Sequence, residues 1–230
     1  MSFKKHIPNS LTLLNALSGC IGIIQVLDGN IYYGAYFVIL SAAFDFLDGF
    51  VARILKVQGE LGKQLDSLAD AISFGLLPGI VLFAMSESSS EANWLTYLTL
   101  SVPVFSIYRL AKFNLDTRQT DRFIGLPTPS SALFITTLPF LATKWPAMGD
   151  LISSPFVLAG IAIIISFLLV AELPLIALKF KNFSFKDNVY RYLLIALGLA
   201  VAIWLGLAGI PFIILAYIGL SVVENSIGEK

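Results

Sequence analysis

The chain has 230 residues, of which 57% are hydrophobic and only 13% charged, with a formal net charge of zero. A soluble globular domain carries about 25% charged residues, so this composition describes a chain solvated largely by lipid. One Cys and one His exclude an internal disulfide framework, a Cys/His zinc site and a thiol redox pair. The balanced charge excludes a global basic field for nucleic acid.

In chain order, apolar runs between turn signals predict eight membrane helices, at about 9–27, 32–55, 63–86, 93–113, 128–144, 152–179, 189–207 and 209–227. A crossing of the hydrocarbon core needs about 20 residues. Within the first run, Leu17-Ser18-Gly19-Cys20 resembles a lipoprotein cleavage box. The apolar stretch before it is interrupted by Thr12 and Asn15, and it continues past Cys20 through Ile21, Ile23 and Ile24. The segment therefore reads as a membrane helix, with Cys20 as a small packing residue. Asp28-Gly29-Asn30 and Glu87-Ser88-Ser89-Ser90 read as loops. Pro174 kinks or ends the sixth helix, and Gly206 with Gly209–Pro211 separates the last two.

Placing the amino terminus in the cytoplasm with eight crossings puts fourteen of the fifteen Lys and Arg residues inside, with Lys144 alone outside. That asymmetry is what the positive-inside rule expects. Both termini are then cytoplasmic. Lys4, Lys5 and the basic residues from Lys179 to Arg191 read as anchors at anionic head groups. The expectation is an all-α polytopic bundle forming one transmembrane domain over residues 1–230.

Four aspartates interrupt these apolar helices. A charge in the bilayer costs several kcal/mol, so intramembrane carboxylates mark function by default. Asp45, Asp48, Gly49, Ala52 and Arg53 share one face of the second helix, and Gly62, Asp66, Asp70 and Ser73 one face of the third. The short connection makes the two helices antiparallel neighbours whose acidic faces meet. Clustered carboxylates repel one another unless a cation compensates. With oxygen ligands alone, that cation is magnesium or manganese. Two such ions would suit displacement at phosphorus. Gly49, Ala52 and Gly62 either admit a ligand to the backbone or serve close helix packing. Arg53 taken alone reads first as a snorkelling residue at a helix end. A proton- or ion-coupled transporter using the acids as a relay is the alternative from another class, but no internal repeat supports it.

As it stands, Asp45-x-x-Asp48-Gly49-x-x-Ala52-Arg53, eight residues, then Gly62-x-x-x-Asp66-x-x-x-Asp70 resembles the signature of the CDP-alcohol phosphotransferase family. Four further segments resemble its phosphatidylserine synthase branch. They are Ile7-Pro8-Asn9-Ser10-Leu11-Thr12 with Asn15, the run from Leu65 to Gly75 with Pro78, Arg109-Leu110-Ala111-Lys112-Phe113-Asn114, and Phe123-x-Gly125-Leu126-Pro127-x-Pro129. The resemblance implies a six-helix family core plus two helices and a homodimer, and the charge distribution with the simple topology puts the site on the cytoplasmic side of the cell (inner) membrane. The resemblance also implies transfer of a phosphatidyl group from CDP-diacylglycerol to L-serine, with CMP released. Within the family, glycerol 3-phosphate or inositol phosphate is the alternative acceptor. Carried over residue by residue, Asp45, Asp48, Asp66 and Asp70 hold divalent metal (Mg2+ or Mn2+, two ions), and Asp70 is also the general base. Gly49, Ala52, Arg53 and Gly62 match nucleotide-binding positions, and Pro8 and Thr12 are expected beside them. The loop after the fourth helix is the expected acceptor side, with Arg109 for a phosphate or serine carboxylate and Asn114 for a polar contact to substrate. Its other charges, Lys112, Asp116, Arg118, Asp121 and Arg122, equally satisfy membrane topology.

Overall fold

A computed structural model of the chain describes residues 6–88, 94–116, 123–176, 184 and 188–228. Arg118, Asp121, Arg122, the lysines at 179, 181 and 186, and Lys4, Lys5 and Lys230 lie outside the described residues.

The described chain is almost entirely helical. The helices are α1 (His6–Leu27), α2 (Tyr33–Ile54), α3 (Glu60–Asp70), α4 (Leu77–Glu87), α5 (Ser101–Leu115), α6 (Thr128–Thr136), α7 (Leu138–Lys144), α8 (Pro146–Ile152), α9 (Pro155–Val170), α10 (Val189–Leu205) and α11 (Ile210–Gly228). A π-helical stretch, Ala71–Leu76, joins α3 to α4, and 3-10 turns precede α5 and α11. Four stretches are long and apolar enough to cross a membrane: α1, α2, Glu60–Glu87 and Val189–Ser226. The bent pair α8 and α9, at 73°, makes up to five. Large apolar side chains face outward throughout, including Phe46, Leu115, Ile203 and Trp204. A surface of that kind fits lipid rather than water.

The last apolar stretch is folded in two. Gly206 adopts φ +59, and a Cβ on Gly198 would lie 3.8 Å from Ile213 Cγ2. Residues that far apart in a straight helix would stand about 22 Å apart. The chain therefore turns back at Gly206, and α10 and α11 pack against each other, as the glycines there suggest. The sixth predicted helix is shorter than expected. It stops at Val170, and the chain runs extended through Pro174–Leu175 (β2), which pairs antiparallel with Phe123–Ile124 (β1). Gly125, at φ +77, lies under the carbonyls of Leu168, Leu169 and Ala171, where a Cβ would come within 2.7 Å. Leu126 N–H donates to Leu168 O at 2.8 Å, satisfying a carbonyl that the helix end leaves open. The Gly125-Leu126-Pro127 segment thus closes α9.

The Glu60–Glu87 stretch is the axis of the bundle, with 61% of an apolar 18-residue window buried against 17% for Val189–Ser226. Phe74, Leu77, Val81 and Leu82 on it are fully buried. The π stretch has a local cause. Pro78 has no N–H to give and its ring crowds the preceding turn. Leu77 N–H donates to Ile72 O, the wider spacing of a π turn, just before the proline.

Glycines bring α1, α2 and α4 together. A Cβ on Gly22 would meet Phe37 Cβ at 2.8 Å and Leu77 Cδ2 at 2.9 Å, and one on Gly34 would meet Val81 Cγ2 at 2.6 Å. Cys20, expected among the packing residues, instead lies on the exposed side of α1. Packing predicts a contrast. Gly22→Ala should lower unfolding stability in detergent by about 1–3 kcal/mol through overpacking. Gly160→Ala, where a Cβ meets nothing within 4 Å, should be neutral or slightly stabilising. Equal stability of the two variants would refute the close-approach reading.

Candidate metal and nucleotide site

Asp45 and Asp48 on the C-terminal half of α2 meet Asp66 of α3, and α1 packs against both helices. Asp45, Asp48 and Asp66 each offer a carboxylate oxygen, and these oxygens lie within 4.8 Å of one another. Asp48 is 6% exposed, and Asp45 and Asp66 are half-buried. Thr12 of α1 donates its hydroxyl to Asp48 Oδ2. Asp66 Oδ1 is buried with no hydrogen-bond partner among the described residues. Three carboxylates this close, one with an orphaned buried oxygen, form an all-oxygen donor set suited to Mg2+ or Mn2+. Asp70 stands one turn beyond Asp66 and outside this triplet. It is 8% exposed and accepts a hydrogen bond from Asn15 Nδ2 at 3.1 Å.

A cavity of about 260 Å³ opens beside the triplet. Asp48, Asp66, Pro8, Thr12, Gly49, Ala52 and Gly62 all line it, so five of the residues singled out on α1, α2 and α3 share one wall system with two of the acids. A Cβ on Gly49 would meet only Arg53 Nη2, at 3.8 Å, and one on Gly62 only Asn9 Oδ1, at 3.5 Å. Neither glycine is required by helix packing, unlike Gly22 and Gly34. Their smallness keeps the cavity open. Arg53 is exposed beside the cavity rather than on its lining, and its Nε donates to Gly49 O at 2.9 Å.

The cavity roof is the α2–α3 turn. Lys56 adopts φ +53, with Lys56 N–H donating to Arg53 O and Val57 N–H to Ala52 O. This is a Schellman closure of α2. It leads the chain across the opening through Val57, Gln58 and Gly59, which line the cavity with Asn9 and Lys63. The sequence reading missed these five. Asn9 sits in the first quoted segment, but the turn residues carry no signal until the turn is folded.

The acceptor-side residues behave differently from each other. Arg109 is 7% exposed and lies within electrostatic range of Asp70 and Tyr217. Its Cζ stands 5.7 Å from the Phe113 ring, and its Nε has no hydrogen-bond partner among the described residues. Asn114 is tied to helix α3: its Nδ2 donates to Ser67 Oγ at 2.8 Å, and its carbonyl accepts from Lys63 Nζ at 2.8 Å. Lys112 pairs with Glu172 at 3.4 Å. Tyr217 on α11 was not singled out from the sequence, where it is one aromatic in an apolar run.

The donor set makes a binding prediction. Millimolar Mn2+ should raise the thermal stability of the purified chain by mass action, about 2.7 kcal/mol at a hundred times Kd. Asp66→Asn should lose that shift while its stability in EDTA is unchanged or higher, since one repelling charge is gone. An undiminished Mn2+ shift in the variant would refute the site.

Comparison with known proteins agrees with this geometry. The CDP-alcohol phosphatidyltransferase family profile matches residues 5–215. A CDP-diacylglycerol–serine O-phosphatidyltransferase of Mycobacterium leprae is 35% identical over 150 residues, covering 61% of this chain and 49% of that protein. An archaetidylserine synthase of Methanothermobacter thermautotrophicus is 35% identical over 134 residues, covering 57% and 56%. A CDP-diacylglycerol–serine O-phosphatidyltransferase of Mycobacterium tuberculosis is 31% identical over 209 residues, covering 85% and 69%. The chain thus spans about half the length of the first two relatives. With the family profile covering nearly all of it and two of the signature acids, Asp48 and Asp66, lining the cavity, the chain belongs to the CDP-alcohol phosphatidyltransferase family.

Proposed function

We propose that the chain is a membrane-embedded phosphatidylserine synthase. It transfers the phosphatidyl group of CDP-diacylglycerol, or of an ether-lipid counterpart, to the hydroxyl of L-serine and releases CMP. The observation that carries this reading is the cavity shared by Asp48, Asp66, Gly49, Ala52 and Gly62. Serine as acceptor is supported by the relatives' names, which agree on serine and differ in the lipid.

In this reading Asp45, Asp48 and Asp66 hold two divalent ions, Mg2+ or Mn2+, with Asp70 contributing from its adjoining turn. When bound, the metal neutralises the pyrophosphate and the departing CMP. The cytidine diphosphate lies in the cavity, against the bare backbone at Gly49 and Gly62, with Asn9, Gln58 and Thr12 as polar neighbours. Asp70 takes the proton of the serine hydroxyl, a poor nucleophile at neutral pH. The hydroxyl oxygen then attacks the lipid-bearing phosphorus as the bond to CMP breaks, in one displacement with inversion. Arg109, buried near Asp70 with an unpartnered Nε, is placed to bind the serine carboxylate. Asn114 is assigned to holding α5 against α3 rather than to substrate. The charge distribution supports eight crossings, with the site and both termini on the cytoplasmic side of the cell membrane, and the family resemblance supports a homodimer.

Purified protein with CDP-diacylglycerol and Mn2+ should release CMP with L-serine. Release with glycerol 3-phosphate but not serine would overturn the acceptor. Asp70→Asn should cut kcat by about 10²–10⁴-fold with the fold retained, and retention of configuration at phosphorus would refute direct displacement. Gly62→Val should raise KM for the CDP-lipid about tenfold, roughly 1.4 kcal/mol, without loss of thermal stability. An unchanged KM would remove the nucleotide from this cavity.

A further inference from the structure

Asn15 is fully buried in the middle of α1, and it meets both acid-bearing helices. Its Nδ2 donates to Asp70 Oδ1 at 3.1 Å. Its main-chain carbonyl accepts from Ser73 Oγ at 2.9 Å and from Ser41 Oγ at 3.2 Å. Ser41 lies one turn before Asp45 on α2, and Ser73 lies just past Asp70 on the π stretch. All three residues have 0% exposure.

The arrangement depends on position 19, one turn on from Asn15. A Cβ there would lie 2.5 Å from Ser73 Oγ and 2.9 Å from Ser73 Cα. Ser73 therefore reaches the Asn15 carbonyl only because residue 19 is glycine. The π turn, which begins directly after Asp70, carries Ser73 into this contact. π turns inside α-helices recur at functional sites.

A packing role does not account for this residue. Asn15 Oδ1 is buried with no hydrogen-bond partner among the described residues. An orphaned buried acceptor forfeits its hydration with nothing in return, a loss that a leucine of similar size would avoid. What leucine could not supply is the Nδ2 donor. Asn15 also lies three residues from Thr12, so α1 presents one donor to Asp48 and one to Asp70 from a single face.

We propose that Asn15 is a positioning residue for Asp70. It holds Oδ1 and leaves Oδ2 for the reacting hydroxyl, while Ser41, Ser73 and Gly19 fix α1 so that the amide cannot drift. The proposal rests on Asp70 acting as the base.

The test compares Asn15→Leu with wild type and Asp70→Asn in the full-length protein, measuring CMP release with whichever acceptor the wild type uses. Asn15→Leu should lower kcat about 10- to 100-fold, the scale seen when a partner that orients an active group is lost. KM for the CDP-lipid should stay within about threefold, and the Mn2+-induced thermal shift should persist, since the Asp45, Asp48 and Asp66 triplet is untouched. Asn15→Ala gives the same readout if the leucine variant does not fold. Ser73→Ala should give a smaller fall in kcat alone. A kcat within about threefold of wild type, or a fall accompanied by loss of the Mn2+ shift, overturns the proposal. If Asp70→Asn is inactive while Asn15→Leu is unchanged, only the positioning role fails. If Asp70→Asn keeps wild-type kcat, the base assignment falls with it.

Discussion

Four carboxylates on two helices of an apolar bundle are the constraint from which the rest of this structure follows. In a low-dielectric interior, charges of one sign are tolerated only when cations and oriented donors face them. The bundle supplies the donors from one helix, α1, through Thr12 and Asn15. It leaves Asp66 Oδ1 unpartnered among the described residues, as a ligand oxygen would be. The cavity beside the acids sits near the ends of α1, α2 and α3, where the Lys56 turn crosses and where Arg53 and Lys63 lie.

Glycine serves two opposite purposes in this architecture, and the distinction is steric. At positions 19, 22 and 34 a Cβ would come within 3 Å of the neighbouring helix. Gly19 and Gly22 bring α1 close enough for its donors to reach across, and Gly34 brings α2 against Val81 of α4. At positions 49 and 62 a Cβ would meet no backbone at all, and the missing side chain is space for a ligand. Gly34 and Gly49 belong to opposite classes yet share one helix, α2, so the spacing of small residues does not separate the two classes. The Pro78-driven π turn belongs to the same design, since it sets where Ser73 and the rest of the central helix stand relative to Asp70.

Much of the site was legible in the chain because helical periodicity is local. Asp45, Asp48, Asp66 and Asp70 had to share faces once the helices formed, and a connection of a few residues had to make those faces meet. Gly49, Ala52 and Gly62 reach the cavity for the same reason, while Pro8 and Thr12, expected there from the family resemblance, reach it because α1 packs across both helices. The Gly125 segment, by contrast, reads as one of several quoted motifs and proves to be the closure of α9. Asn114 turned out to bond Ser67.

The sequence by itself determined the lipid-solvated helical class, the acidic faces and their small neighbours, because each depends on composition or on spacing within one helix. Only the tertiary structure decided which residues of α1 touch those acids, that Asp70 lies outside the close triplet of Asp45, Asp48 and Asp66, that Arg53 lies outside the cavity, and that Val57, Gln58 and Gly59 roof it. Those facts depend on how one helix crosses another and on a turn closed by Lys56 at positive φ. Asn15 shows the difference most directly. Along the chain it is a polar interruption of an apolar run. Its meaning comes from two helices, more than twenty residues away in the chain, whose side chains converge on it.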